Sequence, residues 1–213
     1  IGAISLLAEA ADSAADDADA VRGFLGKLTR ETTRLNELVS QIIALSRLQA
    51  TGSVLGAQDV PVAGLLESAV ARCHHLAEAR DISISLQAEP GLLVAGDATE
   101  LETAVTNLVQ NAIAYSEPGA RVAVTGNAAG ELVEIRVSDN GIGISAEDQA
   151  RIFERFFRVD ADRSRASGGT GLGLSIVKHI AAAHGGEGTV WSRLGQGSTF
   201  TLRLPGGRKG GPR

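Results

Sequence analysis

The chain has 213 residues, of which 44% are apolar, so it is long enough for one well-buried domain and a smaller appendage. Its formal net charge of -5 argues against a nucleic-acid surface, which needs clustered basic residues, and no apolar run is long enough to span a bilayer. The single cysteine, Cys73, cannot form an internal disulfide, which favours a reducing compartment.

Residues 1–50 predict an antiparallel helical hairpin. Leu28, Leu35 and Ile42 recur every seven positions, as in a short coiled-coil seam, and an acidic stretch separates this helix from an earlier amphipathic segment. Two helices of this kind cannot cover both apolar stripes, so we expect the hairpin to pair with a second copy as a four-helix bundle. Because the seam has few repeats, packing of the hairpin on its own chain is the alternative.

A second domain is predicted at residues 60–205, after a linker at residues 51–59 that contains helix-breaking glycines. Its predicted elements are, in chain order, a helix at 61–79, a strand at 82–86, a short strand near 92, a helix at 98–115, strands at 122–124 and 133–137, a short helix at 146–153, a polar loop to 167, a helix at 171–184, and strands at 189–193 and 199–204. This order predicts a mixed sheet with helices on one face, in the α+β class. The tail at residues 206–213 is expected to be disordered.

The helix at 98–115 carries the first candidate site residues. Asn107, Asn111 and Tyr115 lie four residues apart, on a different face from the buried apolar stripe. Neutral amides are less costly than carboxylates in a partly dry cleft, and their oxygens suit Mg²⁺ alongside water and phosphate oxygens. Taken alone, two asparagines on a helix more often belong to a solvated surface.

A candidate base-binding segment follows the strand at 133–137. The Asp139 carboxylate can accept a hydrogen bond from an adenine amine, and Gly141 and Gly143 allow close backbone approach to a base. The alternative is a plain Asp-Asn-Gly turn.

A glycine-rich turn opens the helix at 171–184, where free backbone amides favour phosphate. Its residues are Gly169, Thr170, Gly171, Leu172, Gly173 and Leu174. In the preceding loop, Arg158 stands next to two phenylalanines and can neutralise a terminal phosphate. Plain packing of the glycines and solvation of the arginine are the alternatives.

Four segments occur in a fixed order, namely Asn107–Ala112, Asp139–Ile144, Phe153–Arg158 and Gly169–Leu174. Together they resemble the N, first-glycine, F and second-glycine boxes of the sensor histidine kinases of two-component systems. The resemblance implies a Bergerat-type α/β sandwich at residues 60–205 and a dimerisation and phosphotransfer hairpin at residues 1–50. The segment Leu45–Gln49 resembles that of phosphate-regulon sensor kinases.

The resemblance also implies ATP and Mg²⁺ as cofactors and a role for each matching residue. Asn111 would be the Mg²⁺ ligand, Asn107 and Tyr115 nearby nucleotide contacts, Asp139 the adenine reader, and Arg158 the contact to the γ-phosphate. Of these, Asn107 and Arg158 are the expected catalytic residues. By the same resemblance, Gly141 and Gly143 would shape the base pocket, and Gly169, Thr170, Gly171, Leu172, Gly173 and Leu174 would hold the phosphates and close a lid.

The intact protein is therefore expected to transfer phosphate to a histidine and onward to the receiver domain of a response regulator. The chain opens at Ile1 without any methionine and without the family's phosphoacceptor segment, so we expect it to be a cytoplasmic kinase core that does not phosphorylate itself, with any membrane anchor upstream in a bacterial inner-membrane sensor. Ala114 stands where many relatives carry a phosphate-binding lysine.

Two other functions remain. The chain can be a nucleotide-binding dimerisation module without productive catalysis, or a related Bergerat-fold ATPase. Hydrolases with this sandwich usually place a glutamate one helical turn before the metal-binding asparagine, where it can activate water. This chain has Asn107 there, which favours phosphoryl transfer over hydrolysis.

Overall fold

The computed structural model of the chain describes residues 2–51, 58–159 and 170–207. The chain divides into two compact units, Ile1–Ala44 and Leu45–Arg213. Most of the predicted linker, Gly169 and residues 208–213 lie outside the described residues, as do the side chains of Ile42 and of Leu45–Gln49. Within the described residues, no helix combines the length and the apolarity that a membrane span requires.

The first unit contains the predicted helical hairpin. Helix α1 (Gly2–Ser13) is followed after four residues by helix α2 (Ala18–Thr51), which runs on into the second unit. Asp17 caps the start of α2, because its Oδ1 accepts hydrogen bonds from the backbone N–H groups of Asp19 at 3.1 Å and Ala20 at 3.0 Å. Helix α1 has no fully buried residue, and Ile4, Leu7 and Ala11 of its apolar stripe are half-buried.

The second unit alternates helices and strands. Its elements are β1 (Gln58–Pro61), α3 (Val62–Glu78), β2 (Ser83–Ala88), β3 (Leu93–Gly96), α4 (Ala98–Ala114), β4 (Arg121–Ala129), β5 (Leu132–Asp139), α5 (Ala146–Gln149), α6 (Gly173–Ala183), β6 (Glu187–Arg193) and β7 (Gly197–Pro205). A five-stranded sheet has the order β2-β4-β5-β7-β6. The pairing of β2 with β4 is parallel and the other pairings are antiparallel, so the sheet is mixed, as predicted.

One face of this sheet forms the core with α3, α4 and α6. Buried and more exposed residues alternate along the central strands, as a sheet with one covered face requires. The buried strand residues include Val122, Val124, Val133, Ile135, Val137, Phe200, Leu202 and Leu204. Helices α3, α4 and α6 each bury an apolar stripe, so the predicted arrangement of helices on one face is confirmed.

Several local expectations differ from the structure, and one is that the short helix predicted at 146–153 ends at Gln149. Residues Gln58–Pro61, predicted as linker and helix start, form a strand that pairs antiparallel with β3 in a separate two-stranded sheet. The helix predicted from residue 171 begins at Gly173, because Gly171 has a φ of 74° that an α-helix cannot contain. At the predicted disordered tail, Gly206 and Gly207 donate backbone hydrogen bonds to the carbonyls of Glu131 and Leu93.

Candidate functional site

Asp139 lies at the end of β5, and two backbone amides hold one of its carboxylate oxygens. Its Oδ1 accepts hydrogen bonds from the N–H of Gly141 at 2.9 Å and from the N–H of Ser198 at 3.2 Å. Burial raises the pKa of Asp139, while the two hydrogen bonds oppose that rise. The described residues donate no hydrogen bond to Oδ2, so that oxygen is available to a ligand.

The loop after Asp139 is fastened to the end of α4 and to the turn between β6 and β7. The N–H of Ile142 donates to the carbonyl of Tyr115 at 3.2 Å, and the carbonyl of Ile142 accepts from the N–H of Gly195 at 2.8 Å. A Cβ at Gly141 would collide with the carbonyl oxygen of Tyr115. Gly143 has a φ of 71°, and a Cβ there would collide with a backbone carbonyl of the turn after β6. Only glycine fits these two positions.

The predicted contacts on α4 are half-buried on one face of that helix, as their spacing requires. The Asn107 side chain donates from Nδ2 to the carbonyl of Thr103 at 2.8 Å, which fixes the amide plane. Its Oδ1 then faces the start of α6, where a Cβ at Gly173 would lie only 2.8 Å away. Asn107 and the glycine-rich turn are therefore in direct contact.

The residues around Arg158 connect α4 with the second glycine segment. Burial, the larger effect, raises the pKa of Tyr115, and the positive charge of Arg158 lowers it, which places the two side chains near each other. The Phe156 N–H donates to the carbonyl of Gly171 at 2.9 Å, so the two segments pair through their backbones.

Arg158 itself is the strongest sign of a ligand. Its Nε and Nη2 are buried and have no hydrogen-bond partner among the described residues. A guanidinium is always charged, and buried donors without a partner are unfavourable, so this arrangement suits an anion that completes the site.

The remaining predicted residues lie around the start of α6. Thr170 Oγ1 accepts a hydrogen bond from the Leu172 N–H at 3.2 Å, Leu172 is buried, and Leu174 is half-buried in the first turn. The first amides of α6 have no partners within the helix and carry the positive end of its dipole. Gly169 lies outside the described residues.

The donor set fits a magnesium ion only if phosphate and water supply most of the ligands. Among the described residues, no group of three or more His, Cys, Asp or Glu side chains is placed to hold a metal. The Asn111 side chain is half-buried, and an amide oxygen is a group that Mg²⁺ accepts as a ligand.

Two polar residues that the sequence did not indicate also support the loop after Asp139. Ser192 Oγ accepts from the Ile144 N–H at 2.8 Å and donates to the carbonyl of Gly197 at 2.8 Å. Gln149 Nε2 donates to the carbonyls of Ile144 and Ser192, each at 3.0 Å. Neither residue belongs to a motif, and polar side chains on a strand or short helix carry no signal that distinguishes them from surface residues.

The predicted site residues that the structure describes thus form one connected group. The Asn107 side chain lies against Gly173, the Tyr115 carbonyl lies against Gly141, and the Phe156 N–H donates to the carbonyl of Gly171, while the charge of Arg158 acts on the pKa of Tyr115. A shallow hollow beside the edge strand β2 contains none of the predicted site residues; it is lined by Glu78, Asp81, Ile82, Ser83, Gly119 and Arg121.

Comparison with known proteins defines the class. The family described as "Histidine kinase-, DNA gyrase B-, and HSP90-like ATPase" matches residues 96–208, more than half of the chain. The chain therefore belongs to this ATPase family.

Its relatives narrow the relationship to sensor kinases. The chain is 50% identical over 205 residues to the sensor-like histidine kinase SenX3 of Mycobacterium tuberculosis (strain ATCC 25618 / H37Rv), covering 96% of this chain and 50% of that protein. It is 38% identical over 186 residues to the sensor histidine kinase RppB of Synechocystis sp., covering 87% of this chain and 41% of RppB. The chain thus spans about half the length of SenX3 and less than half the length of RppB.

Solved structures agree with these relatives. Full-length ShkA in complex with AMPPNP has a TM-score of 0.75 and 30% identity, covering 87% of this chain and 38% of that chain. The mycobacterial sensor histidine kinase MprB has a TM-score of 0.62 and 30% identity, covering 71% of this chain and 98% of that chain. The predicted membership of the sensor histidine kinases and the Bergerat-type fold are confirmed.

Proposed function

We propose that this chain is the ATP-binding kinase core of a two-component sensor protein. In the intact protein it would transfer the γ-phosphate of Mg-ATP to a histidine, from which the phosphate passes to an aspartate of a response regulator. The observation that carries this proposal is that Nε and Nη2 of Arg158 are buried and have no hydrogen-bond partner among the described residues. An anionic ligand is the natural partner for such a group.

The adenine end of the nucleotide is proposed to bind at Asp139. One carboxylate oxygen is held by two backbone amides, so the other can accept a hydrogen bond from the exocyclic amine of the base. The absence of side chains at Gly141 and Gly143 lets the backbone lie close to the base. ShkA, which has 30% identity to this chain, was solved with AMPPNP, and this supports an adenine nucleotide as the ligand.

The phosphate end is proposed to bind between α4 and α6. The Asn111 amide oxygen would bind Mg²⁺, Asn107 would contact the nucleotide, and the turn from Gly169 to Leu174 would hold phosphate oxygens through its amides. When bound, the metal ion would neutralise charge on the phosphates. Because Ala114 offers no cation, Arg158 is the main protein group to offset the charge of the γ-phosphate.

Catalysis would then come from positioning and charge neutralisation. A histidine nitrogen forms a bond to the γ-phosphorus as the bond to the oxygen bridging the β- and γ-phosphates breaks, and ADP leaves with that oxygen. Asn107 and Arg158 are the proposed catalytic residues, since both lie at the phosphate end of the site. The acceptor histidine is proposed to lie upstream in the intact protein.

The hairpin is proposed to dimerise the intact protein as a four-helix bundle. Leu6 on α1 is 68% exposed and Leu25 on α2 is 50% exposed, so the single chain leaves apolar side chains uncovered. A second copy is the partner that covers both stripes at once. We further propose a cytoplasmic location, next to the inner membrane of a bacterium, for the sensor that contains this core.

The site is tested by calorimetric titration of Mg-ATP into the wild-type chain and into Asn111→Asp and Asp139→Asn. Each substitution is expected to weaken binding at least about tenfold, since the first adds negative charge beside the phosphates and the second replaces the acceptor for the base. Asn127→Asp, an exposed change on β4, is the matched control and should leave the affinity unchanged. Unchanged affinity in both site variants would remove the assignment.

Phosphoryl transfer is tested separately, with ATP labelled at the γ-phosphate and the intact protein as acceptor. Label on a histidine of the intact protein supports the kinase. Binding of Mg-ATP without transfer supports a nucleotide-binding dimerisation module instead, and release of free phosphate without a labelled protein supports an ATPase.

A further inference from the structure

We propose that Arg80, which lies outside all four motifs, is a positioning residue for the nucleotide site, an inference that rests on the function proposed above. Its Nη1 donates to the carbonyl of Ile113 at 2.9 Å and to the carbonyl of Ala114 at 2.8 Å. These are the last two residues of α4, the helix that carries the predicted metal and nucleotide contacts.

These hydrogen bonds are made at the C-terminal end of α4, where the helix cannot satisfy its own carbonyls. The last carbonyls of an α-helix have no partners within the helix and form the negative end of its dipole. A guanidinium at this position satisfies two of these carbonyls with charge-assisted hydrogen bonds. Arg80 is half-buried, so solvent screens these bonds less than those of a fully exposed arginine.

The end of α4 in turn supports both halves of the site. The next residue, Tyr115, offers its carbonyl to the N–H of Ile142, and Gly141 packs against that same carbonyl. Asn111 lies one turn earlier on the helix, and its carbonyl accepts the N–H of Tyr115 at 3.1 Å. Movement of this last turn would displace the base-binding loop and the proposed metal ligand together.

Arg80 is itself mounted on a fixed turn. The N–H of Arg80 donates to the carbonyl of Ala77 at 3.1 Å, and the N–H of Ile82 donates to the same carbonyl at 2.9 Å. The carbonyl of Asp81 accepts the N–H of Gly119 at 2.8 Å, in the connection that follows α4. The turn therefore holds α4 through the Arg80 side chain and the chain beyond α4 through its backbone.

Another arginine, Arg72 on α3, provides a matched control. Arg72 also contacts α4, since its Nη1 lies 3.4 Å from Oε1 of Glu102, but this pair is at the opposite end of the helix and the arginine side chain is 68% exposed. Arg72→Leu removes an ion pair between α3 and α4 without touching the site. Comparing Arg80→Leu with Arg72→Leu therefore distinguishes an effect on the position of the site from a general effect of weaker contacts to α4.

Binding is measured for ATP and ADP by calorimetry in Arg80→Leu, Arg80→Lys and Arg72→Leu, at a temperature where each variant is folded by thermal denaturation. Arg80→Leu is expected to weaken both nucleotides by the same factor, about tenfold, because it acts on the end of α4 rather than on the γ-phosphate. Arg80→Lys should restore part of the affinity, since an ammonium can still donate to these carbonyls. Arg72→Leu should change neither nucleotide.

A second measurement needs no ligand. Tyr115 is the single tyrosine of the chain, so incorporation of fluorotyrosine gives one fluorine resonance, next to the two carbonyls that Arg80 contacts. Its chemical shift should move in Arg80→Leu, return partly in Arg80→Lys and stay in place in Arg72→Leu.

The outcomes separate the two proposals. If the wild-type chain binds neither ATP nor ADP, the proposed function fails, whatever Arg80 does to the resonance. If the wild-type chain binds and folded Arg80→Leu binds equally well, or if the fluorine resonance is unchanged, Arg80 is a residue of the fold and the positioning role is refuted. Should Arg80→Leu not fold, wild-type affinity in Arg80→Lys together with an unmoved resonance refutes the role in the same way.

Discussion

Gly173→Ala is expected to weaken Mg-ATP binding about tenfold while leaving the stability of the fold nearly unchanged. The added Cβ would lie 2.8 Å from Oδ1 of Asn107, whereas ordinary contact begins at 3.4 Å, so the amide oxygen must retreat by about 0.6 Å. Misplacement by 1 Å costs up to about a hundredfold in a positioned site, and the smaller shift gives our estimate.

The stability terms for this change nearly cancel. Alanine is better than glycine in a helix by up to about 1 kcal/mol, and Gly173 is the first residue of α6. Against this, turning the Asn107 amide weakens its 2.8 Å hydrogen bond to Thr103, which is worth about 1 kcal/mol. The free energy of unfolding, measured with urea, should therefore change by less than about 1 kcal/mol.

The control is Gly64→Ala in α3, where an added Cβ meets nothing within 4 Å. It should raise the free energy of unfolding by about 0.5 to 1 kcal/mol and leave Mg-ATP affinity unchanged. In an Asn107→Ala background, Gly173→Ala should have no further effect on affinity, because the group it displaces is gone. The reasoning is refuted if Gly173→Ala binds Mg-ATP as tightly as the wild type. It is also refuted if Gly173→Ala weakens Mg-ATP binding as much in the Asn107→Ala background as in the wild type.

Three other changes test the surroundings of the site. Arg158→Gln removes the positive charge that lowers the pKa of Tyr115, so that pKa should rise further, as followed by ultraviolet titration of the single tyrosine. His184→Ala removes a fully buried ring whose Nε2 accepts the Asp97 N–H at 3.0 Å, and should lower the free energy of unfolding by about 3 kcal/mol. Burial raises the pKa of Asp139 in the folded protein above that of an aspartate in the unfolded chain, so this group makes the protein less stable as pH rises from the unfolded-state pKa to the folded-state pKa; Asp139→Asn should remove its share of the slope of stability with pH in urea unfolding.

Exposed residues of the same types serve as controls for these three. Arg155→Gln should leave the tyrosine titration in place, His75→Ala should leave the free energy of unfolding unchanged, and Asp12→Asn should keep the wild-type slope with pH. If the pKa of Tyr115 is unchanged in Arg158→Gln, the charge of Arg158 does not act on Tyr115. A loss below about 1 kcal/mol in His184→Ala would show that its bonds are replaced, and a slope identical to wild type in Asp139→Asn would mean that this carboxyl titrates as in the unfolded chain.

Hydrophobic periodicity was sufficient to predict most of the fold, because each main helix and strand buries one stripe or one face. It failed at β1, where Gln58–Pro61 has a single buried residue, Val60, and ends in a proline. A four-residue strand with that composition has no detectable alternation, and its pairing with β3 depends on a partner more than thirty residues away. Propensity and pattern within a short window contain no information about such a partner.

Some residues of the candidate site could likewise be predicted from the sequence and others could not. Its motif residues could be predicted, since glycines, asparagines and an aspartate in a fixed order are rare together, but the roles proposed for them remain predictions. Arg80 and Ser192 could not be predicted, because each acts through hydrogen bonds to backbone carbonyls or amides that any residue could supply. A contact to a backbone group does not restrict the residue type at the partner position, so the sequence cannot reveal it.

The glycines of the two glycine motifs are constrained by the protein before any ligand binds. Gly141 lies against the carbonyl of Tyr115, Gly171 against the backbone of Phe156, and Gly173 against the side chain of Asn107. A phosphate contact alone would require only free amides, which alanine also provides, whereas a Cβ would collide with backbone at Gly141 and Gly171 and would displace the Asn107 amide at Gly173. The close contacts therefore join the second glycine motif to the segments Phe153–Arg158 and Asn107–Ala112, and join the first glycine motif to Tyr115 at the end of α4. A substitution at any of these glycines should therefore disturb a neighbouring segment rather than only its own.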